Sequence, residues 1–147
     1  MPIVNEGVHI KASADDIYHL IQKTKNIADL YKEIQVNTIE EEEDYRITDI
    51  KLTLDEDSFS WRQRENFDPE MLRVDYSYIE GDFMTFDARF QVLAEEDESE
   101  LLLHIELTTG EIGIIAYIKD FFLTRRMREV ARDIINAVKD QLELSYG

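Results

Sequence analysis

The run KDFFLTRRMREVARDIINAVKDQLEL, Lys119 to Leu144, decides how the rest of the chain is read. From Leu123 onward its apolar residues fall at Leu123, Met127, Val130, Ile134, Val138 and Leu142, steps of three and four that draw one stripe along an α-helix. Arg125, Arg128, Glu129, Arg132, Asp133 and Asn136 occupy the opposite face, so the helix needs one apolar partner and leaves its other side in water. At 1.5 Å per residue the run spans about 39 Å, roughly the width of a small domain. Only the strand-like middle of the chain can supply so wide a surface.

That middle changes texture at Ile34. Six β-rich runs follow, Ile34 to Glu41, Tyr45 to Leu54, Ser58 to Phe67, Met71 to Glu80, Phe83 to Ala94 and Glu100 to Thr109. The short acidic stretches between them read as hairpin turns, which implies consecutive antiparallel pairing. These acids are either solvated turns that discourage edge-to-edge association or a site for calcium or a basic partner. Alternation places Phe59, Trp61 and Phe67 on one face of their strand, and Leu72, Val74, Tyr76 and Tyr78 on one face of the next. Met84, Phe86, Ala88, Phe90 and Val92 follow, as do Leu101, Leu103, Ile105 and Leu107. One face of the sheet is aromatic-rich.

Upstream, Ile3 to Ala12 alternates loosely as a first strand. Ser13 then offers a hydroxyl cap with Asp16 three residues on, so a helix is expected from Ala14, with Ile17, Leu20 and Ile21 inward. Thr24-Lys25-Asn26 interrupts the pattern, and a short second helix ending near Glu33 follows. Ile114, Ile115, Ile118, Phe121 and Phe122 cluster on nearly the opposite side of the wheel from Met127, Val130 and Ile134. A straight helix cannot bury both sets, so residues 110 to 118 are expected as a separate turn or loop, with Gly110 and Gly113 permitting the bend. Such a segment is a mobile apolar lid, a packed connector or a dimer contact.

Composition narrows the functional classes. The 147 residues suit a single domain spanning 1–147, with no cysteine for a disulfide or a thiolate metal site. No signal-like segment or apolar run near the roughly 18 residues of a membrane span is present, and a cytoplasmic protein is expected. The formal charge of −17, from 33 acidic against 16 basic side chains, argues against a nucleic-acid partner. His9, His19 and His104 lie in separate elements without metal-like spacing, and no Gly-rich phosphate loop, nucleophile elbow or Cys/His pair occurs, so neither metal nor cofactor is expected.

A curved antiparallel sheet does not fit a straight helix along its whole length, and an aromatic concave face under that gap either receives a large apolar ligand or is itself the filling of the core. The order of elements, one strand, two short helices, six strands and a long helix, resembles the helix-grip fold of START-like proteins and the birch pollen allergen. SWRQRENFDPEMLRVDYSYIEGDFMTFDARFQV, Ser60 to Val92, is similar to the polyketide cyclase/dehydrase branch in Trp61, Asp68, Gly81, Phe83 and Phe90. The opening IKASADDIYHLIQKTKNIADLY resembles the family's first strand and helix pair. The resemblance implies an α+β fold, a curved seven-stranded antiparallel sheet wrapped around the C-terminal helix. It also implies relatives among aromatase/cyclases, coenzyme Q-binding proteins and ribosome-associated toxins.

The departures bear on chemistry. The aromatase/cyclases' arginine and tyrosine fall on Glu65 and Ile34 in an ungapped reading, Arg64 points to the other face, and Ile27 stands where the second helix usually has tryptophan. The candidate ligand contacts are Trp61, Gln63, Tyr76, Tyr78, Phe86 and Phe90 from the sheet and Ile118, Phe122 and Met127 from the C-terminal region. Glu65 shares parity with Trp61. It is either a desolvated general base or a hydrated carboxylate at the sheet's open end. Arg125, Arg126, Arg128 and Arg132 form the one concentrated basic patch, which either docks an acidic acyl carrier protein or a ligand phosphate or pairs with local acids such as Glu129 and the hairpin tips. The readings that emerge are a binding protein for a polyketide-, quinone- or lipid-like molecule, a polyketide cyclase, aromatase or dehydratase that orients a flexible chain, and a protein-interaction module.

Overall fold

The structure, a computed structural model, describes residues 3–110 and 113–146; the side chains of residues 115–117 and 146 lie outside the description, and with them Ile115 of the expected connector. The elements run β1 (Ile3–Ile10), α1 (Ala14–Ile21), α2 (Thr24–Leu30), β2 (Ile34–Glu41), β3 (Tyr45–Leu54), β4 (Asp57–Asp68), β5 (Arg73–Gly81), β6 (Thr85–Ala94), β7 (Ser99–Thr108) and α3 (Gly113–Tyr146). Seven strands form one antiparallel sheet in the order β1-β7-β6-β5-β4-β3-β2. After β1 the two short helices carry the chain to the far edge, from which five hairpins return it to β1. This is the helix-grip arrangement, with α3 lying against β1, β7, α1 and α2.

Local chemistry accounts for the boundaries. Ser13 is extended and its hydroxyl accepts from the Asp16 backbone N–H at 3.2 Å, starting α1 where the cap motif predicts. The predicted stripe of α3 is buried along its whole length, from Leu123 through Met127, Val130, Ile134 and Val138 to Leu142, in one core with Leu101, Leu103, Ile105, Phe90 and Val92 of the sheet. Each such side chain contributes about 1.5–3 kcal/mol of transfer free energy. On the wet face Arg128 and Arg132 both reach Glu6 of β1, at 3.9 and 3.0 Å.

Four expectations are corrected. Residues 113 to 118 form no separate turn, because the helix begins at Gly113 and runs on unbroken. The phase conflict is resolved by exposure: Ile114, Ile118, Phe121 and Phe122 stay in water on the first turns, where the helix keeps its hydrogen-bond ladder but presents the wrong face to the sheet. Thr24-Lys25-Asn26 does not separate the two short helices but opens the second, which ends at Leu30 rather than near Glu33. Met84 is 69% exposed rather than inward, since the β5–β6 turn places Phe83 inside in its stead. Strand β5 starts at Arg73 rather than Met71 because Leu72 sits at φ 53, in the left-handed region.

A β-bulge between Arg62 and Gln63 shifts the β4–β5 register, so that Trp61 opposes Gly81 and Gln63 opposes Tyr78. The backbones approach closely there. A Cβ on Gly81, at φ 142, would lie 2.4 Å from the Ser60 carbonyl and 2.5 Å from the Trp61 Cα. Gly81→Ala is therefore expected to cost about 2–4 kcal/mol, measured as a fall in the urea midpoint, whereas Ser77→Ala on the exposed side of the same strand leaves the midpoint nearly unchanged.

Candidate functional site

The concave face carries two different surfaces. Toward α1 and α2 lies a buried polar network centred on Glu65, which is wholly buried. Its Oε1 accepts from the Thr24 hydroxyl at 2.5 Å and from Arg46 Nη1 at 2.9 Å; its Oε2 accepts from the Thr48 hydroxyl at 2.7 Å and from Gln63 Nε2 at 2.9 Å. Gln63 Oε1 in turn accepts from Trp61 Nε1 at 2.8 Å. Arg46 also donates to the Gln22 carbonyl at 3.0 Å, and its guanidinium lies over the Phe67 ring, 4.9 Å from the centroid. The network thus ties β3, β4 and the start of α2 together.

The second surface is an aromatic cluster at the opposite end. Trp61 packs on Phe86 and Phe83, with ring centroids 4.8 and 5.3 Å apart, and Phe83 stacks on Phe59 at 5.4 Å. Outside Phe59 opens a cleft of about 420 Å³ between the β3–β4 turn and the first turns of α3, lined by Leu54, Phe59, Ile118, Phe122 and Leu123 with Asp55, Asp57, Asp82, Lys119 and Arg126 around them. Ile118 is 48% and Phe122 58% exposed on its wall. Trp61 joins the two surfaces, with its ring in the cluster and its N–H in the network.

Of the candidate residues, Trp61, Gln63, Glu65, Tyr76, Phe86, Phe90 and Met127 are all buried inside the grip, while Ile118 and Phe122 line the cleft. Glu65 does not sit hydrated at an open end. Tyr78 is half-buried and donates to the Phe83 carbonyl at 2.7 Å, which fixes the β5–β6 turn. Tyr76 faces Glu65 across the strands and packs edge-on to Phe90. Burial, reinforced by the Glu65 charge, holds its phenol well above the ordinary tyrosine value. In the arginine patch, Arg126 pairs with Asp55 at the hairpin tip, at 3.4 Å, and with Glu129.

Arg46, Thr48 and Thr24 are the residues that sequence reasoning missed. A signal for two of them exists. The turn between β3 and β4 holds only Asp55 and Glu56, with Asp55 at φ 57, and so tight a turn fixes every cross-strand pair: Thr48 opposite Gln63 and Arg46 opposite Glu65. A carboxylate with inward parity in such a hairpin calls for a cation at its cross-strand neighbour. Thr24, distant in sequence, leaves no comparable trace.

Removing one partner of this pair leaves an unpaired buried charge. Arg46→Met is expected to cost about 3–5 kcal/mol in urea unfolding, and Arg46→Met with Glu65→Leu much less than the sum of the two single changes. Alkaline pH tests Tyr76. The folded protein keeps the phenolic proton that the unfolded chain loses near pH 10, so this contribution is complete below about pH 10 and disappears as pH rises beyond it, by up to about 1.4 kcal/mol per pH unit. Chemical unfolding between pH 9 and 11.5 is expected to show a steeper loss in the wild type than in Tyr76→Phe.

Comparison with known proteins places this geometry. A comparison of the sequence with curated proteins gives no match. Among solved structures, a protein from Thermus thermophilus superposes with a TM-score of 0.89 at 18% identity, over 99% of this chain and all of the other. The Zhui aromatase/cyclase from Streptomyces sp. R1128 superposes at 0.81 with 17% identity, over 96% and 93% of the two chains. Norcoclaurine synthase from Thalictrum flavum, in complex with dopamine and hydroxybenzaldehyde, gives 0.72 at 15% identity, over 99% and 87%. At such identities the likeness is one of fold. The sequence model of the pathogenesis-related protein Bet v 1 family matches residues 3–108, the whole sheet with both short helices, and the chain belongs to that family.

Proposed function

We propose that the protein binds a hydrophobic small molecule of polyketide, quinone or lipid type, admitted through the cleft beside Phe59 and Phe122. The observation that carries this reading is the pair of exposed apolar side chains, Ile118 and Phe122, on the wall of a cleft of about 420 Å³ whose floor leads to the Phe59–Phe83–Phe86–Trp61 cluster. Apolar surface left in water costs free energy that a ligand recovers, and the volume suits a small molecule. Norcoclaurine synthase, which shares the fold, was solved with the small aromatic molecules dopamine and hydroxybenzaldehyde bound. Tyr76, Gln63 and Phe90, further in, would meet a ligand only if the aromatic cluster parted.

In this reading Glu65 holds the sheet rather than moving protons. Both its oxygens are engaged by four donors, and the side chain is wholly buried and takes no part in lining the cleft. A cyclase or dehydratase activity would then rest on orienting a chain in the cleft. Delivery of that chain by an acyl carrier protein would suit Arg125, exposed on the same stretch of α3 as Phe121.

A fluorescent apolar probe, 1-anilinonaphthalene-8-sulfonate, tests the cleft. Phe122→Glu, at an exposed position, is expected to weaken probe binding at least tenfold while the melting temperature stays within about 3 °C of the wild type. Unchanged affinity would remove the cleft from the function. Native mass spectrometry of protein purified from its own host is expected to show bound apolar mass, lost in the same variant.

A further inference from the structure

At the end of the sheet remote from the cleft, strand pairing gathers residues far apart in the sequence. His9 on β1 lies opposite Glu100 on β7, and the β6–β7 turn, closed by a Glu95 N–H to Glu98 carbonyl hydrogen bond of 3.0 Å, brings Glu95 and Glu98 over the same imidazole. Nδ1 of His9 stands 3.3 Å from Glu95 Oε1 and 3.5 Å from Glu98 Oε1, and one ligand atom from each of the three residues lies within 4.8 Å of the others.

We propose that His9, Glu95 and Glu98 bind one divalent transition-metal cation of the zinc type, with water completing the shell. Three features converge on this. Metal–ligand bonds of about 2.0–2.1 Å in a tetrahedron set ligand atoms roughly 3.3–3.4 Å apart, the spacing that Nδ1 already keeps from both carboxylates. The donor set, one imidazole nitrogen and two carboxylate oxygens, is that of a borderline cation. Glu100 Oε2 lies 3.6 Å from the other ring nitrogen, Nε2, so that with Nδ1 on the metal a carboxylate would stand behind the imidazole, as one commonly does behind a metal-bound histidine.

Charge points the same way. Glu95, Glu98 and Glu100 converge on this ring, and among the described residues no lysine or arginine forms an ion pair with any of them. A divalent ion would relieve their mutual repulsion in a chain of net charge −17. It would also staple the edge strand β1, whose one neighbour in the described sheet is β7, to the β6–β7 turn. Sequence spacing could not disclose the site, since its donors come together only through the β1–β7 pairing.

The test titrates the chelator-treated chain of 147 residues with zinc chloride alone, read by calorimetry and by the imidazole resonances of its three histidines. The expected result is one equivalent bound, with the His9 ring resonances shifted and those of His19 and His104 unmoved. His9→Gln and the double variant Glu95→Gln/Glu98→Gln are expected to lose at least tenfold in affinity, while His104→Gln, which removes a histidine beside Glu106, binds as the wild type. The substituted side chains all reach solvent, and far-UV circular dichroism with the apo melting temperature shows whether each variant folds. Absence of saturable binding below millimolar zinc, or equal binding by His9→Gln, would overturn the proposal.

Discussion

The interaction on which this structure depends is the engagement of one buried carboxylate by four donors. Glu65 brings a charge into the grip, and such a charge is tolerable only if it is paired and hydrogen-bonded on every side. Arg46 supplies the countercharge from β3, Thr48 and Gln63 supply neutral donors from β3 and β4, and Thr24 supplies the fourth from the helix layer. Because these donors come from three elements, satisfying the carboxylate reinforces the β3–β4 register set by the turn and fixes the position of α2 against the sheet and the orientation of Trp61 through Gln63.

Much of the architecture is legible in the sequence because it rests on periodicity. The stripe from Leu123 to Leu142, the alternation of β7 and the Ser13 cap each state a local preference that the tertiary structure does not overrule. The errors fall where two local rules compete. At 113 to 122 a break in hydrophobic phase reads as a break in the backbone, yet a helix can keep its hydrogen bonds and expose the face that no longer fits. At 82 to 84 the alternation, extended one residue too far, runs into a turn. At Thr24 a residue that reads as a helix interruption is instead held at the helix start, its hydroxyl turned to Glu65.

The site is legible in its members but not in its chemistry. Trp61, Gln63 and Glu65 stand out by parity alone, which says which face a side chain occupies and nothing of who meets it there. Partners require register, and register requires the turn. The tight turn at Asp55 and Glu56 carries that information for Arg46 and Thr48, whereas Thr24 and the His9 cluster depend on contacts between elements far apart in the chain, which no pattern within one element encodes.

The same constraints explain why a cleft forms beside Phe59. Helix α3 lies over β1 and β7, so β3, β4 and β5 must be covered by something else. At the α1–α2 end the polar network does this, bringing the short helices down onto the sheet through Thr24 and the Gln22 carbonyl. At the other end, among the described residues, the covering falls to the stacked rings of Phe59, Phe83 and Phe86, beside which the cleft to Ile118 and Phe122 of α3 lies. A helix that loses phase with its sheet before Leu123 therefore yields two results at once: apolar side chains stranded in water and a gap beside them. Both belong to one geometric mismatch, which sets the cleft beside the aromatic cluster and away from the buried Glu65.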